Sequence, residues 1–169
     1  MQHLRRMEDR VVLLTGGGGG IARGVARAFA DEGAKRILTD IFPGGMERTK
    51  AELEHDFGTE VFTCVADGSK EDEVKEAVEK GAAHFGKLNV LINSAQTSAS
   101  GLTLVEHTQA DFDKAIYSGL YATFFYMKYA FPFLKETKGS VINFASGAGI
   151  SGKPGQSSYA AAKEGIRGL

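Results

Sequence analysis

Several features of secreted, membrane or nucleic-acid-binding proteins are scarce in this sequence. Of its 169 residues only Cys64 is a cysteine, so no internal disulfide framework can form, and the scarcity fits a reducing compartment. Set among Val, Phe and Thr (VFTCV), Cys64 is expected to be a small buried hydrophobe in a strand. A basic excess is also missing. The formal net charge is -1, with neither the basic stripe of a nucleic-acid binder nor the cluster of a polybasic membrane anchor. No apolar run approaches the roughly 20 residues of a membrane span. YATFFYMKYAFPFL comes nearest, and Lys128 interrupts it. The opening, MQHLRRMEDR, is charged and has no apolar segment behind it, unlike a secretory signal. His3, His55, His84 and His107 are scattered without ligand spacing, and with one cysteine no metal site is expected. These absences point to a soluble cytoplasmic protein. At 43% hydrophobic the chain can build a substantial core, and it contains no interdomain linker, so residues 1–169 are read as one domain.

What is present is an alternation. Short β-branched runs at residues 11–15, 36–40, 60–65, 88–93 and 140–144 read as strands. Between them, helical patterns occupy residues 21–32, 47–57, 71–85 and 108–136, the last bent near Pro132, and another helix opens near Ser158. The strands are apolar at consecutive positions, as when both faces are covered. This predicts an α/β fold, a doubly wound parallel sheet.

TGGGGGIA, residues 15–22, stands at the C-terminal end of the first strand and opens directly into a helix. A flexible linker would lie between domains among polar residues. At the observed place, glycines let the backbone approach a pyrophosphate, and the helix N-terminus offers free N–H groups and positive dipole charge. Gly17, Gly19 and Ala22 fit the dinucleotide fingerprint, and so does Thr15-Gly16 followed by Gly20-Ile21-Ala22. A Gly-Lys-Ser/Thr sequence is absent, which removes the P-loop reading. Asp40 closes the second strand, where a carboxylate can accept hydrogen bonds from ribose hydroxyls and would repel a 2′-phosphate. Neither the glycine loop nor Ile41-Phe42-Pro43 supplies a compensating cation, so NAD is favoured over NADP.

Ser146 lies just beyond the fifth strand; Tyr159 and Lys163 follow at helical i, i+4 spacing, which puts phenol and ammonium on one face. A neighbouring cation favours a phenolate, so such a phenol can take a proton from an alcohol or give one to a ketone. Taken alone, YAAAK is also an ordinary alanine-rich helix start.

In order along the chain, TGGGGGIA, Asp40, Asp67 after the third strand, NSAQ (residues 93–96), VINFASGAG and YAAAK resemble the short-chain dehydrogenase/reductase family, from Arg10 to Leu169. The resemblance implies a Rossmann-like NAD(P)-binding fold. It places Gly16, Gly20 and Ile21 at the pyrophosphate turn, Asp40 at the adenosine ribose and Asp67 near the adenine. Asn93 and Ala95 would border the cofactor beyond the fourth strand. Ser146 would orient the substrate, Tyr159 would act as acid/base, and Lys163 would bind the nicotinamide ribose and tune the tyrosine. Hydride would pass between NAD(H) and a small secondary alcohol or ketone.

Three departures accompany the resemblance. Gln96 stands where the family commonly has glycine. Gly119 stands where it has a helical asparagine that helps a proton relay reach the lysine, and the adjacent Ser118 points about 100° away around the helix. Family members also continue through two further strands and a substrate-covering loop, so the chain is expected to be the retained part of a longer one, truncated after the fifth strand and the start of the next helix. A second reading follows from the first two departures: a non-catalytic NAD-binding or assembly module with a degenerate relay. Finally, the long helix is expected to bury Phe112, Ile116, Leu120, Phe124 and Met127. A second row, Tyr117, Tyr121, Phe125 and Tyr129, is expected to form the face of a homodimer or homotetramer.

Overall fold

A computed structural model of the protein describes residues 5–169, so His3 lies outside the described residues. Five strands form its sheet: β1 (Val11–Thr15), β2 (Lys35–Asp40), β3 (Val61–Val65), β4 (Val90–Asn93) and β5 (Ser140–Asn143). They pair in parallel in the order β3-β2-β1-β4-β5. The helices are α1 (Gly20–Asp31), α2 (Pro43–Phe57), α3 (Glu71–Phe85), α4 (Gln109–Ala115), α5 (Ala122–Thr137), α6 (Gly147–Ser151) and α7 (Ser157–Gly168). A π-helical segment, Ile116–Tyr121, joins α4 to α5.

Strand pleating explains the two layers. Successive side chains of β1 point to opposite faces, so Val12 and Leu14 join one core with Ala22, Ala26 and Ala30 of α1 and Met46 and Leu53 of α2. Val11 and Leu13 join a second core with Val74 and Val78 of α3 and Phe125, Tyr126, Ala130 and Leu134 of α5. Each such leucine is worth about 1.5–3 kcal/mol relative to exposure. The sheet is thus doubly wound, as the apolar runs predict. Coverage of both faces holds for β1, β2 and β4. It fails at the two edges, where Val65, Val141 and Ile142 are exposed. Cys64 sits in β3 as expected but is only half-buried, because β3 is an edge strand.

Three other expectations are corrected. Helix α2 begins at Pro43, four residues earlier than residue 47, because proline's fixed φ suits the first helical position. Helix α5 contains Pro132, where a bend is expected, and ends at Thr137, one residue later than expected. The buried face of the long helical run is Ala115, Gly119, Ala122, Thr123, Phe125, Tyr126, Ala130 and Leu134, while Phe112 and Phe124 are exposed. The cause is a competing stripe: Ala115, Gly119, Ala122, Tyr126, Ala130 and Leu134 recur every three or four residues straight through the π segment, one position round from the expected row. Small residues then take the inner positions. A Cβ on Gly68 would stand 2.9 Å from Cβ of Ala122, so the helix lies almost against the β3–α3 loop. The aromatic row divides as well: Tyr117 and Tyr121 stay outside, Phe125 is buried, and Tyr129 is half-buried and donates to Glu71 Oε1. Among the described residues no helix is long and apolar enough to cross a membrane.

Candidate active site

Strands are added outward from β1 in opposite senses, β2 and β3 on one side and β4 and β5 on the other, so the order switches between β1 and β4. That switch point opens a crevice at the carboxyl ends of parallel strands. A cleft of about 620 Å³ lies there, walled by Gly16, Gly19, Gly20, Ile21 and Ala22 on one side and by Ser94, Ala95 and Gln96 on the other. Asp40 and Asp67 line it too. Thr15 ties the two walls together: its Oγ1 accepts from the backbone N–H of Ser94 and of Ala95, both at 3.0 Å.

The glycines have separate jobs. Gly16 adopts φ +71°, and a Cβ there would stand 3.1 Å from Cα of Ala95. Gly18 and Gly45 meet backbone to backbone: a Cβ on Gly45 would lie 2.8 Å from Cα of Gly18, so the loop is pressed onto the first turn of α2. Gly20 differs from these, since a Cβ there would meet nothing within 4 Å. No side chain caps α1, so its first-turn N–H groups and positive dipole end face the cleft uncompensated. This cradle fits a pyrophosphate.

Asp40 is fixed from two directions. Its Oδ2 accepts from Gly18 N–H (2.9 Å) and its Oδ1 from Phe42 N–H (3.0 Å). A carboxylate has about four lone-pair sites, so both oxygens keep capacity for a ligand hydroxyl. Asp67 Oδ1 accepts from the backbone N–H and the hydroxyl of Ser69 (2.9 and 2.7 Å), and its own N–H donates to Glu73 Oε2 (2.8 Å). Asn93 lies buried behind the wall, where its Nδ2 donates to Asn143 Oδ1 (2.9 Å) across the β4–β5 pair.

A second hollow of about 400 Å³ is lined by Ser146, Gly147, Ala148 and Tyr159, with Ser98, Ser100, Lys153 and Gln156. Residues 94–100 thus serve both spaces. Ser146 caps helix α6, its Oγ accepting from Ala148 N–H (3.2 Å), which leaves its own proton free to donate. Lys163 is buried on α7; its Nζ donates to the Phe144 carbonyl (2.5 Å) and lies 5.7 Å from the centre of the Tyr159 ring. Burial lowers the Lys163 pKa from its ordinary value. The sequence reading did not reach α6, Gln156 or Lys153. His107, one of the histidines without ligand spacing, makes ring-nitrogen contacts with the hydroxyls of Ser157 and Ser158 (3.4 and 3.2 Å), anchoring the helix that carries Tyr159. Among the described residues no three His, Cys, Asp or Glu side chains gather as a metal ion would require.

The family profile described as short chain dehydrogenase matches residues 10–169. The chain belongs to that family. It is 53% identical over 168 residues to the 12α-hydroxysteroid dehydrogenase of a Clostridium species, covering 96% of this chain and 65% of that protein. To levodione reductase of Leifsonia aquatica it is 40% identical, covering 97% of this chain and 62% of that protein. The crystal structure of levodione reductase superposes with a TM-score of 0.93 over 97% of this chain and 64% of that one, at 38% identity. NAD+-bound xylitol dehydrogenase gives 0.93 over 97% and 63%, at 26% identity. The chain therefore spans a little under two thirds of the length of these relatives.

The two positions that depart from the family pattern, Gln96 and Gly119, touch. A Cβ on Gly119 would stand 2.7 Å from Cδ of Gln96. Ser118, the neighbouring hydroxyl, is committed elsewhere. It accepts from Thr97 N–H (3.1 Å) and shares its proton between the carbonyls of Thr97 (2.9 Å) and Lys114 (2.6 Å).

Proposed function

We propose that the protein is an NAD-dependent oxidoreductase that moves hydride between NAD(H) and a small secondary alcohol or ketone. The observation that carries this reading is that Ser146 and Tyr159 line one hollow, with Lys163 behind Tyr159. The loop over that hollow also walls the glycine cleft.

Gly16, Gly19, Gly20 and the first N–H groups of α1 would hold the pyrophosphate, with Asp40 at the adenosine ribose, Asp67 near the adenine and Ala95 along the wall. Asn93 would act from behind it. When bound, the nicotinamide supplies or accepts the hydride. The protein handles the oxygen. Ser146 donates its hydroxyl proton in a hydrogen bond to the substrate carbonyl, fixing and polarising it. Tyr159 gives its phenolic proton to that oxygen as the carbon gains hydride, or takes it back from the alcohol in the reverse sense. The Lys163 ammonium, 5.7 Å from the centre of the Tyr159 ring, stabilises the phenolate left behind and would hold the nicotinamide ribose. Ketone, hydride and one proton make alcohol, so the phenol must be reprotonated after each reduction.

Asp40 supports NAD over NADP, because its carboxylate is held at the end of β2 and a 2′-phosphate there would meet like charge. The single thiol supports a reducing, cytoplasmic location. A second copy of the chain is the proposed partner, forming a homodimer or homotetramer through the exposed, stacked Tyr117 and Tyr121.

The test is NADH oxidation with a panel of ketones that includes a 12-oxo steroid, run beside NADH binding read by fluorescence. Turnover of at least one ketone is expected. Binding without turnover on any ketone would favour the second reading, a non-catalytic NAD-binding or assembly module.

A further inference from the structure

The hollow that holds Ser146 and Tyr159 has a one-sided electrostatic lining. Among the described residues around it Lys153 alone is charged, and none is acidic. Ser98, Ser100 and Gln156 add two hydroxyls and a carboxamide. Among the described residues, the side chains of these four make no hydrogen bond or ion pair with the protein. Carboxylates on the adjoining segments are engaged elsewhere. Glu106, on the loop of Ser98 and Ser100, accepts from Thr103, and Glu164, on the helix of Tyr159, pairs with Arg167. An uncompensated ammonium among unspent hydrogen-bond donors is complementary to an anion.

The backbone beneath Lys153 is fixed. The Gln156 N–H donates to the Lys153 carbonyl (3.1 Å), closing a turn over Lys153, Pro154, Gly155 and Gln156. Proline in second place and glycine at φ +72° in third are what a type II turn requires. The ends of such a turn lie within about 7 Å of each other, so Lys153 and Gln156 meet the hollow as neighbours. The turn is also docked. Gly101 N–H donates to the Gly155 carbonyl (2.8 Å), and a Cβ on Gly155 would stand 3.2 Å from Cα of Gly101. That contact ties the turn to the loop of Ser98 and Ser100. At its other end the turn runs directly into α7, with Gln156 three residues before Tyr159. Rim and phenol therefore belong to one framework.

We propose that the substrate is a keto acid or the matching hydroxy acid, its carboxylate received by Lys153 and Gln156 at the rim and its carbonyl or hydroxyl placed at Ser146 and Tyr159. This substrate class rests on the hydride-transfer reading above. A neutral ketone is held by its carbonyl alone and can enter the hollow in several orientations. A carboxylate at the rim selects the one that presents the carbonyl to Tyr159. The flexible four-carbon stem of lysine lets the ammonium follow carboxylates at more than one distance from the carbonyl. A volume of about 400 Å³ lies at the small end of ligand-pocket sizes, which suits a compact acid.

Acetoacetate, levulinate and a cyclohexanone carboxylate are each compared with their methyl esters, as substrates with NADH and as ligands of the NADH complex. Wild type should favour at least one acid over its ester by at least about tenfold in kcat/KM, because hydrogen bonds to charged groups outweigh neutral ones. Lys153→Met should bring that ratio to about one and Lys153→Glu should invert it, while Lys153→Arg should keep most of it. A ratio cancels any general loss of activity in a variant, and Lys153 is exposed, so Tm should hardly move. Esters reduced as well as their acids, or a ratio that survives Lys153→Met, overturn the substrate class and leave the hydride-transfer reading standing. Failure of all three acids beside turnover of another ketone does the same. Acids bound more tightly than esters by a protein that reduces no ketone would keep the anion site and sink the hydride-transfer reading. Equal binding of acid and ester removes the anion site whatever the turnover.

Discussion

Removing one oxygen from Tyr159 separates proton transfer from binding. Tyr159→Phe should cost about 10²–10⁴ in turnover, the usual worth of a positioned acid/base, and leave NADH affinity nearly unchanged. A variant that keeps more than about a tenth of the wild-type rate defeats the assignment. Lys163→Met should act differently, because the ammonium is buried and donates to the Phe144 carbonyl. Its pKa is lowered by burial from the ordinary 10.5, so over the interval just below that value the unfolded chain holds the proton more tightly than the fold does. Unfolding then takes up a proton, and stability rises with pH across the interval. Urea midpoints of wild type against Lys163→Met should diverge there, and parallel curves would contradict the burial argument. At Asp40 the carboxylate has two jobs, since it also accepts the N–H groups of Gly18 and Phe42. Asp40→Asn preserves an acceptor and drops the charge. It should erode an NAD preference of at least about tenfold, or 1.4 kcal/mol, with modest loss of fold. An unmoved ratio of NAD to NADP efficiency would make Asp40 a strand-end residue only.

Elements differ in how far the sequence reveals them. Helix α2 meets the glycine turn through Gly45, whose added Cβ would lie 2.8 Å from backbone Cα of Gly18. Backbone cannot swing aside as a flexible side chain can. Gly45→Ala should therefore cost about 1–3 kcal/mol, read as a lowered urea midpoint, and should weaken NADH binding by moving the loop. A variant equal to wild type in both would show that α2 does not support the loop. Nothing local announces this contact, because it joins two segments that only the folded sheet brings together. By contrast, β1 and β4 were legible as apolar runs and β2 from Ile37 and Leu38 ahead of Asp40, and the glycine turn was legible from its place between a strand and a helix. Ser146, Tyr159 and Lys163 stood out by spacing and resemblance, and the fold lines one hollow with Ser146 and Tyr159. The faces of the long helix were not legible. Two stripes one position apart compete along it, and the one that turns in is built largely on small residues, Ala115, Gly119, Ala122 and Ala130, so Phe124 turns outward while Phe125 and Tyr126 turn in. Helix α6 was missed because Gly147–Ser151 is too short to show a period. The Gln96–Gly119 contact was half legible: each departure was visible, and their meeting in space was not.

Two surfaces shape the behaviour of the whole molecule. Tyr117 and Tyr121 stack at 4.9 Å between ring centres with both rings exposed, and aromatic surface of this kind is enriched where proteins meet. Tyr121→Asp should shift a dimer or tetramer to monomer in light scattering at micromolar concentration; a wild type already monomeric there would remove the proposed partner. The second surface is β5. Among the described residues it pairs only with β4, and Val141 and Ile142 are 40% and 42% exposed, while β1 and β4 are buried throughout. Its outer N–H and C=O groups form a sheet edge, and residues 140–145 contain no charge or proline to blunt it. An apolar edge of this kind templates pairing with another strand. A polypeptide of residues 1–169 alone should therefore associate edge to edge. Ile142→Lys places a charge on that edge and should raise the soluble fraction without moving the Tyr121-dependent oligomer. Scattering from the 169-residue polypeptide that is low and unaffected by Ile142→Lys would show that β5 is not an adhesive edge.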